Sequence, residues 1–255
     1  MKILAAIKQV PARDTQLRVD TDARWIEEPD ASEINEPDAY ALEEALRLKE
    51  AHGGEVIALC AGPEAASQTI REALAKGADR AIHVEEDALH RFDVLGVARI
   101  LAAAAAAEKP DLILTGLQSD DLGSGQTGVV MAELLGYAHA TIIMQVEAQG
   151  SGIRVKRELE DGWFQHVDLP LPAVLTIQSG INRLRYATLM GIKKAKSKEV
   201  RKLTAAELGV PPAASVVLDR VYAPLRVKRT VMIEGPAAEQ AARLAAILRD
   251  EVRVL

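Results

Sequence analysis

The first two thirds of the chain alternate short aliphatic runs with longer amphipathic ones, and that rhythm restricts the fold more than any other feature. Residues 3–7, 56–60, 81–84 and 112–115 are apolar runs of strand length. Helical patterns follow at 35–50, 64–76, 93–108 and 126–135. The first of these has an apolar stripe of Ala41, Leu42, Ala45, Leu46 and Leu48, which leaves Glu43, Glu44, Arg47 and Lys49 to a solvated face. Gly53-Gly54, Gly77 and Gly136 close helices in the expected way. Short strands that are apolar throughout are buried on both faces. The chain is therefore expected to be α/β, with a mostly parallel Rossmann-like sheet covered by helices on each side. Right-handed crossovers would place a ligand at the carboxyl ends of the strands.

After Tyr137 the rhythm changes. Residues 140–147, 153–160, 163–169 and 173–177 are strand-like and joined by short turns, which predicts an antiparallel extension of the sheet. Beyond Lys198 the chain loses periodicity, and Pro211-Pro212, Pro224 and Pro236 interrupt it before a last helix over 237–251. Two parts follow: an α/β domain over 1–200 and a C-terminal arm over 201–255. Such an arm buries little of its own surface, so it is expected to lie on a partner subunit.

Aromatic residues are only 3% of the chain, so its core is aliphatic. The 31 basic and 37 acidic residues leave a net charge of −6, which argues against nucleic acid as a general partner. One cysteine, Cys60, excludes an internal disulfide and a multi-cysteine metal centre. The five histidines have no metal-ligand spacing, and most are expected at the surface or in local hydrogen bonds. The first apolar run is too short for a signal peptide, and no run approaches ~18 residues, so no membrane insertion and a cytoplasmic location are expected. No catalytic Ser/His/Asp or Cys/His set is visible, and neither a catalytic nor a metal-binding residue is assigned.

Two segments carry the functional signal. The strand at 112–115 runs into Gly116, Leu117, Gln118, Ser119, Asp120, Asp121, Leu122, Gly123, Ser124, Gly125, Gln126, Thr127 and Gly128, and then into a helix. Glycines let backbone N–H groups approach an anion, and the helix N-terminus adds partial positive charge. The loop lacks the Lys-Ser/Thr ending of a triphosphate-hydrolysing motif and has no Lys or Arg for an adenylate-using enzyme. The bland alternative is a glycine turn with Ser124 or Thr127 capping the helix. For Asp120-Asp121, loop or capping duty is the simpler reading.

The second segment is 182–198. It gathers Arg183, Arg185, Lys193, Lys194, Lys196 and Lys198 with no acid among them, and adds Leu184, Tyr186, Leu189, Met190 and Ile192. An apolar anchor inside a basic rim suits docking to an acidic protein surface, the anchor supplying affinity and the rim steering encounter. Taken singly, Leu189 would be a buried leucine and the lysines a solvated face.

With both segments in view, the chain resembles the beta subunits of electron transfer flavoproteins. The likeness runs through Ala6-Ile7-Lys8-Gln9-Val10-Pro11, Ile34-Asn35, Leu42-Glu43-Glu44-Ala45, Gly62-Pro63, residues 73–80, the loop 116–128 and Arg185-Tyr186-Ala187-Thr188-Leu189, and covers roughly residues 1–210. It implies an adenine-nucleotide-binding fold that buries AMP, paired with an alpha subunit that holds or shares the redox FAD. In the electron-bifurcating branch a second FAD replaces AMP and NADH is the donor. The resemblance places the nucleotide on Ala6, Asn35, Glu36, Pro37, Asp38, Ala61, Gly116, Leu117, Gln118, Asp121, Gly123, Ser124, Gly125, Gln126 and Thr127. It places recognition of flavin dehydrogenases, such as acyl-CoA dehydrogenases, on Arg185, Tyr186, Leu189, Ile192, Lys193, Lys194 and Lys196. A membrane-bound quinone reductase is the implied acceptor. The chain departs from the family where Glu36 separates Asn35 from Pro37, where Gly125 stands for an asparagine, and where Ala61 stands for a cysteine found in some members. A non-redox nucleotide-binding regulatory module is the reading from another class, and it leaves the basic segment unexplained.

Overall fold

The computed structural model describes residues 1–22, 25–211, 214–225 and 230–254; Pro212, named above as a breaker of the tail, lies outside them. In chain order the elements are β1 (Lys2–Ala6), β2 (Gln9–Pro11), β3 (Ser32–Ile34), α1 (Glu36–His52), β4 (Glu55–Gly62), α2 (Ser67–Lys76), β5 (Arg80–Glu85), α3 (Val94–Glu108), β6 (Leu112–Gly116), α4 (Thr127–Leu135), β7 (Ala138–Gln149), β8 (Gly152–Glu158), β9 (Phe164–Pro170), β10 (Ala173–Ile177), α5 (Leu189–Ala195), β11 (Val200–Leu203) and α6 (Ala237–Ala246).

Nine strands form one sheet in the order β11-β5-β4-β1-β6-β10-β7-β8-β9. From β11 to β7 the pairings are parallel, and β8 and β9 add antiparallel strands at one edge. The period of two sorts side chains between two cores. Ile3, Ala5, Val56, Ala58, Leu112 and Leu114 pack with Leu42 and Leu46 of α1 and Ile70 and Leu74 of α2. Leu4, Ile57, Leu59, Ile82 and Ile113 pack with Ile100, Leu101 and Ala104 of α3 and Met131 and Ala132 of α4. The mostly parallel α/β sheet read from the sequence is the observed fold.

Two expectations are corrected. Residues 173–177, assigned to the antiparallel extension, form β10 between β6 and β7 and run parallel to both. Every residue of β10 is buried, as a strand covered on both faces must be. Past residue 200 the chain is not yet free: β11 extends the sheet alongside β5, and Ala205 and Val210 are buried in the second core. His83 is fully buried, with Nε2 3.1 Å from the Gly62 carbonyl. The chain divides into two compact units, Met1–Val221 and Tyr222–Leu255. The second contains α6 and a following π-helical stretch, Ile247–Val252, with no described side chain of either buried. Among the described residues no helix is long and apolar enough to cross a membrane.

Candidate nucleotide site and docking segment

In a parallel sheet the helices run back against the strands, so their N-termini gather at the strands' carboxyl ends. There β6 stops at Gly116, the chain loops out, and α4 begins at Thr127. Gly123 and Gly125 take φ of 61° and 62°, the left-handed region open to glycine at little cost. No side chain caps α4: its N-cap residue, Gln126, makes no cap hydrogen bond, and neither Ser124 nor Thr127 does so in its place. The first-turn N–H groups are thus left without intrahelical or capping partners, which is the chemistry an anionic group needs. Ala6 is the last residue of β1 and Ala61 the last but one of β4, both at the carboxyl end of the parallel sheet from which this loop leaves.

The loop is held from the β1–α1 side by three residues. Asn35, only 1% exposed, donates from Nδ2 to the Gln118 carbonyl at 3.0 Å and accepts the Asp120 N–H at 2.9 Å. Its amide thus grips the loop backbone at two points, so it shapes the site. Asp38 accepts the Lys8 N–H and the Gly116 N–H, both at 2.8 Å, tying the ends of β1 and β6 together. Burial pushes its carboxyl from 3.8 to about 7, against the lowering effect of those two bonds, a side-chain bond from Asn35 and the nearby Lys8 charge. Lys8 Nζ reaches Asp121 at 2.6 and 2.7 Å. Asp121 also accepts the Leu122 N–H at 2.8 Å, so its role is in the loop and not at the helix cap. Pro37 is buried in the first turn of α1, whereas Glu36 turns to an ion pair with Arg13. Leu117 N–H bonds the Ile177 carbonyl at 2.9 Å, joining the loop to β10. A groove of about 440 Å³ in the first unit lies between the C-terminal halves of α3 and α4 and residues 209–211, and is lined mostly by alanine and leucine. It therefore opens at the opposite end of the strands from the loop.

The basic segment is partly helical. Thr188 caps α5 by accepting the Gly191 N–H at 3.0 Å. A Cβ on Gly191 would stand 2.3 Å from the Ala75 carbonyl oxygen, so glycine lets α5 lie directly against α2. Ala195 is buried on the same side. The opposite side carries Leu189, 87% exposed, with Met190 and Ile192, while Tyr186 just before the helix is 93% exposed. Lys193, Lys194 and Lys196 are also exposed. Arg185 is not a rim cation. Its guanidinium binds Glu43 at 2.8 and 3.0 Å and Glu50 at 2.6 and 3.1 Å. Lys198 donates to the Leu74 and Ala78 carbonyls at the end of α2. Glu43 and Glu44, expected on a solvated face, are 6% and 7% exposed, because residues 182–185 cover them.

Comparison with known proteins agrees with this geometry. A model described as "Electron transfer flavoprotein domain" matches residues 24–208. The chain is 39% identical over 259 residues to "Electron transfer flavoprotein subunit beta" of Bradyrhizobium diazoefficiens, each covered in full. The protein of that name from Methylophilus methylotrophus is 38% identical, with 98% of each chain covered. The chain belongs to the electron transfer flavoprotein beta-subunit family. The human member is 38% identical over 238 residues, covering 92% of this chain and 93% of that one.

Beyond the family motifs, this beta-family chain has features its sequence concealed. Lys8 was unassigned, although a cation directly after the first strand is a usable signal. Ile142 takes φ 60° at a bulge in β7, a costly conformation for a β-branched residue, and gives its N–H to Thr176 Oγ1 at 3.2 Å. Beside it on β8, Arg157 bonds Thr141 Oγ1 at 3.2 Å, while its buried Nε has no partner among the described residues. No sequence pattern marks either. Cys60 is buried in β4 and its thiol is pushed up to about 12, mainly by desolvation, so it is an inert core residue.

Proposed function

We propose that this chain works with an alpha subunit as an electron carrier, holding a structural AMP on the 116–127 loop and receiving flavin dehydrogenases on the segment around Leu189. The observation that carries the reading is the pairing of an uncapped, glycine-bearing helix N-terminus with an exposed apolar anchor in a lysine rim. FAD, held mainly by the alpha subunit, supplies the one- and two-electron chemistry when bound. The chain's own residues do other work. Gly123, Gly125 and the first turn of α4 offer N–H groups to the nucleotide phosphate. Asn35, Asp38 and Lys8 hold that loop in shape. A nucleotide bound only to the folded chain stabilises it by mass action.

Docking follows from burial and charge. Leu189 and Tyr186 present apolar area that a partner can desolvate, and Lys193, Lys194 and Lys196 steer an acidic partner toward it. Acyl-CoA dehydrogenases are the proposed donors and a membrane-bound quinone reductase the proposed acceptor. The C-terminal arm is assigned to the alpha subunit, which is supported by exposed Leu225, Val231, Met232 and Leu244 in the second unit. We place the complex in the cytoplasm, which cell fractionation tests.

The test is to denature the purified complex and identify the released nucleotides. One FAD and one AMP per complex supports the carrier reading. Two FAD would support the bifurcating alternative, and no nucleotide bound by this chain would overturn the loop assignment. For docking, Leu189→Ala should keep its nucleotides and lose most transfer from the dehydrogenase; unchanged transfer removes Leu189 from the interface.

A further inference from the structure

We propose that Glu43 is the positioning residue of the docking segment, fixing the posture of Leu189 through Arg185; this rests on the docking reading above. The exposed side chains of Tyr186, Leu189 and Met190 have little packing to hold them. Their placement therefore comes from the two ends of the segment. At the C-terminal end α5 lies on α2 through Gly191 and Ala195, and Lys198 binds the Leu74 and Ala78 carbonyls. At the N-terminal end the hold comes from one stripe of α1. Asn182 Nδ2 bonds the Tyr40 carbonyl at 3.2 Å and Glu44 Oε2 at 3.0 Å. Arg185 then gives Glu43 its main-chain N–H at 3.2 Å as well as two guanidinium bonds.

The main-chain bond matters most. A guanidinium alone can swing on a long side chain, but a carboxylate that also takes the backbone N–H of Arg185 fixes the chain itself, four residues before Leu189. Glu50 takes the other edge of the guanidinium from a largely exposed position, so it holds the side chain but not the backbone. Because Glu43 is buried, its carboxylate has no water to turn to, and the bonds to Arg185 are the ones that satisfy it. Glu43 touches neither the proposed nucleotide loop nor the exposed docking face. Its effect on electron transfer would arise only from how often the segment is held in its docking posture, and a fall in that population raises the apparent dissociation constant in proportion.

The test uses the intact complex with an acyl-CoA dehydrogenase that the wild-type complex accepts as donor. Glu43→Gln keeps the shape but sets an amide N–H₂ against donors. It should raise KM for the dehydrogenase by ~10-fold with kcat within ~2-fold and released nucleotides unchanged. A probe on Tyr186→Cys, selective because Cys60 is buried, should show faster local motion in the Glu43→Gln background. In a double-mutant cycle the Glu43→Gln effect should fall below ~2-fold once Leu189 is alanine, as expected of residues acting through one contact. A wild-type KM in Glu43→Gln overturns the proposal, and so does a full effect that persists without Leu189. A wild-type KM in Leu189→Ala instead overturns the docking reading beneath it.

Discussion

Asp38 offers the sharpest test of how the loop is built. Its carboxyl lies fully buried under the ends of β1 and β6, and burial raises it from 3.8 to about 7. The folded chain therefore holds this proton more tightly than the unfolded chain. The stability this group contributes is complete below its unfolded value near 3.8, and it is lost as pH rises through about 7. The gap spans roughly three pH units, or about 4 kcal/mol at 1.36 kcal/mol per unit. Asparagine has the shape of the protonated acid and does not titrate. Asp38→Asn should therefore gain about 3 kcal/mol of stability relative to wild type between pH 5 and pH 8, set against a pH-independent loss because its amide N–H₂ faces one of the two backbone N–H donors. Equilibrium urea unfolding followed by circular dichroism, at matched protein concentration across that range, measures the difference. A difference that does not change between pH 5 and 8 would refute the reasoning. The same variant should retain its nucleotide less well. An asparagine oxygen can accept the Lys8 N–H or the Gly116 N–H but its amide opposes the other, so the fixed geometry under the loop is lost at every pH.

Other perturbations separate the site's parts. Lys8→Met and Asp121→Asn should each speed nucleotide loss by ~2–5-fold, as for a partly exposed pair, and the double variant should be no worse than either; additive losses in a dissociation assay would separate the two roles. Gly191→Ala puts a methyl group 2.3 Å from the Ala75 carbonyl oxygen, so α5 must shift. It should raise the dehydrogenase KM and lower stability by about 1–3 kcal/mol while leaving nucleotide content intact. Cys60, buried with its thiol at about 12, should resist a disulfide reagent in the native protein and react fully on unfolding; rapid native labelling would contradict its burial.

What could be read in advance followed the range of the interactions involved. Strands β1, β4 and β6 are legible because their burial on both faces is written into consecutive aliphatic residues, and α1, α2 and α4 because their stripes and closing glycines are local, whereas α3 is legible from its apolar run alone and closes at Lys109. The period of two reports which face a side chain takes but not which strand lies alongside, and so β10 was placed beside its sequence neighbours when it belongs between β6 and β7. The nucleotide loop was visible as glycines before a helix, whereas the grip on it by Asn35 and Lys8 spans 83 to 113 residues of sequence. Glu43 is the extreme case. Two adjacent acids on an amphipathic helix belong in water unless something neutralises them, and their local sequence contains nothing that does. For Glu43 the group that does is Arg185, 142 residues away, in a segment whose positive charges read as a single surface patch, and Glu44 accepts from Asn182 Nδ2 in the same segment. That patch is divided: Arg185 and Lys198 face inward and hold the segment, and Lys193, Lys194 and Lys196 face outward. A run of like charges can thus contain both the fastening and the recognition surface, and only the partner of each charge tells which it is.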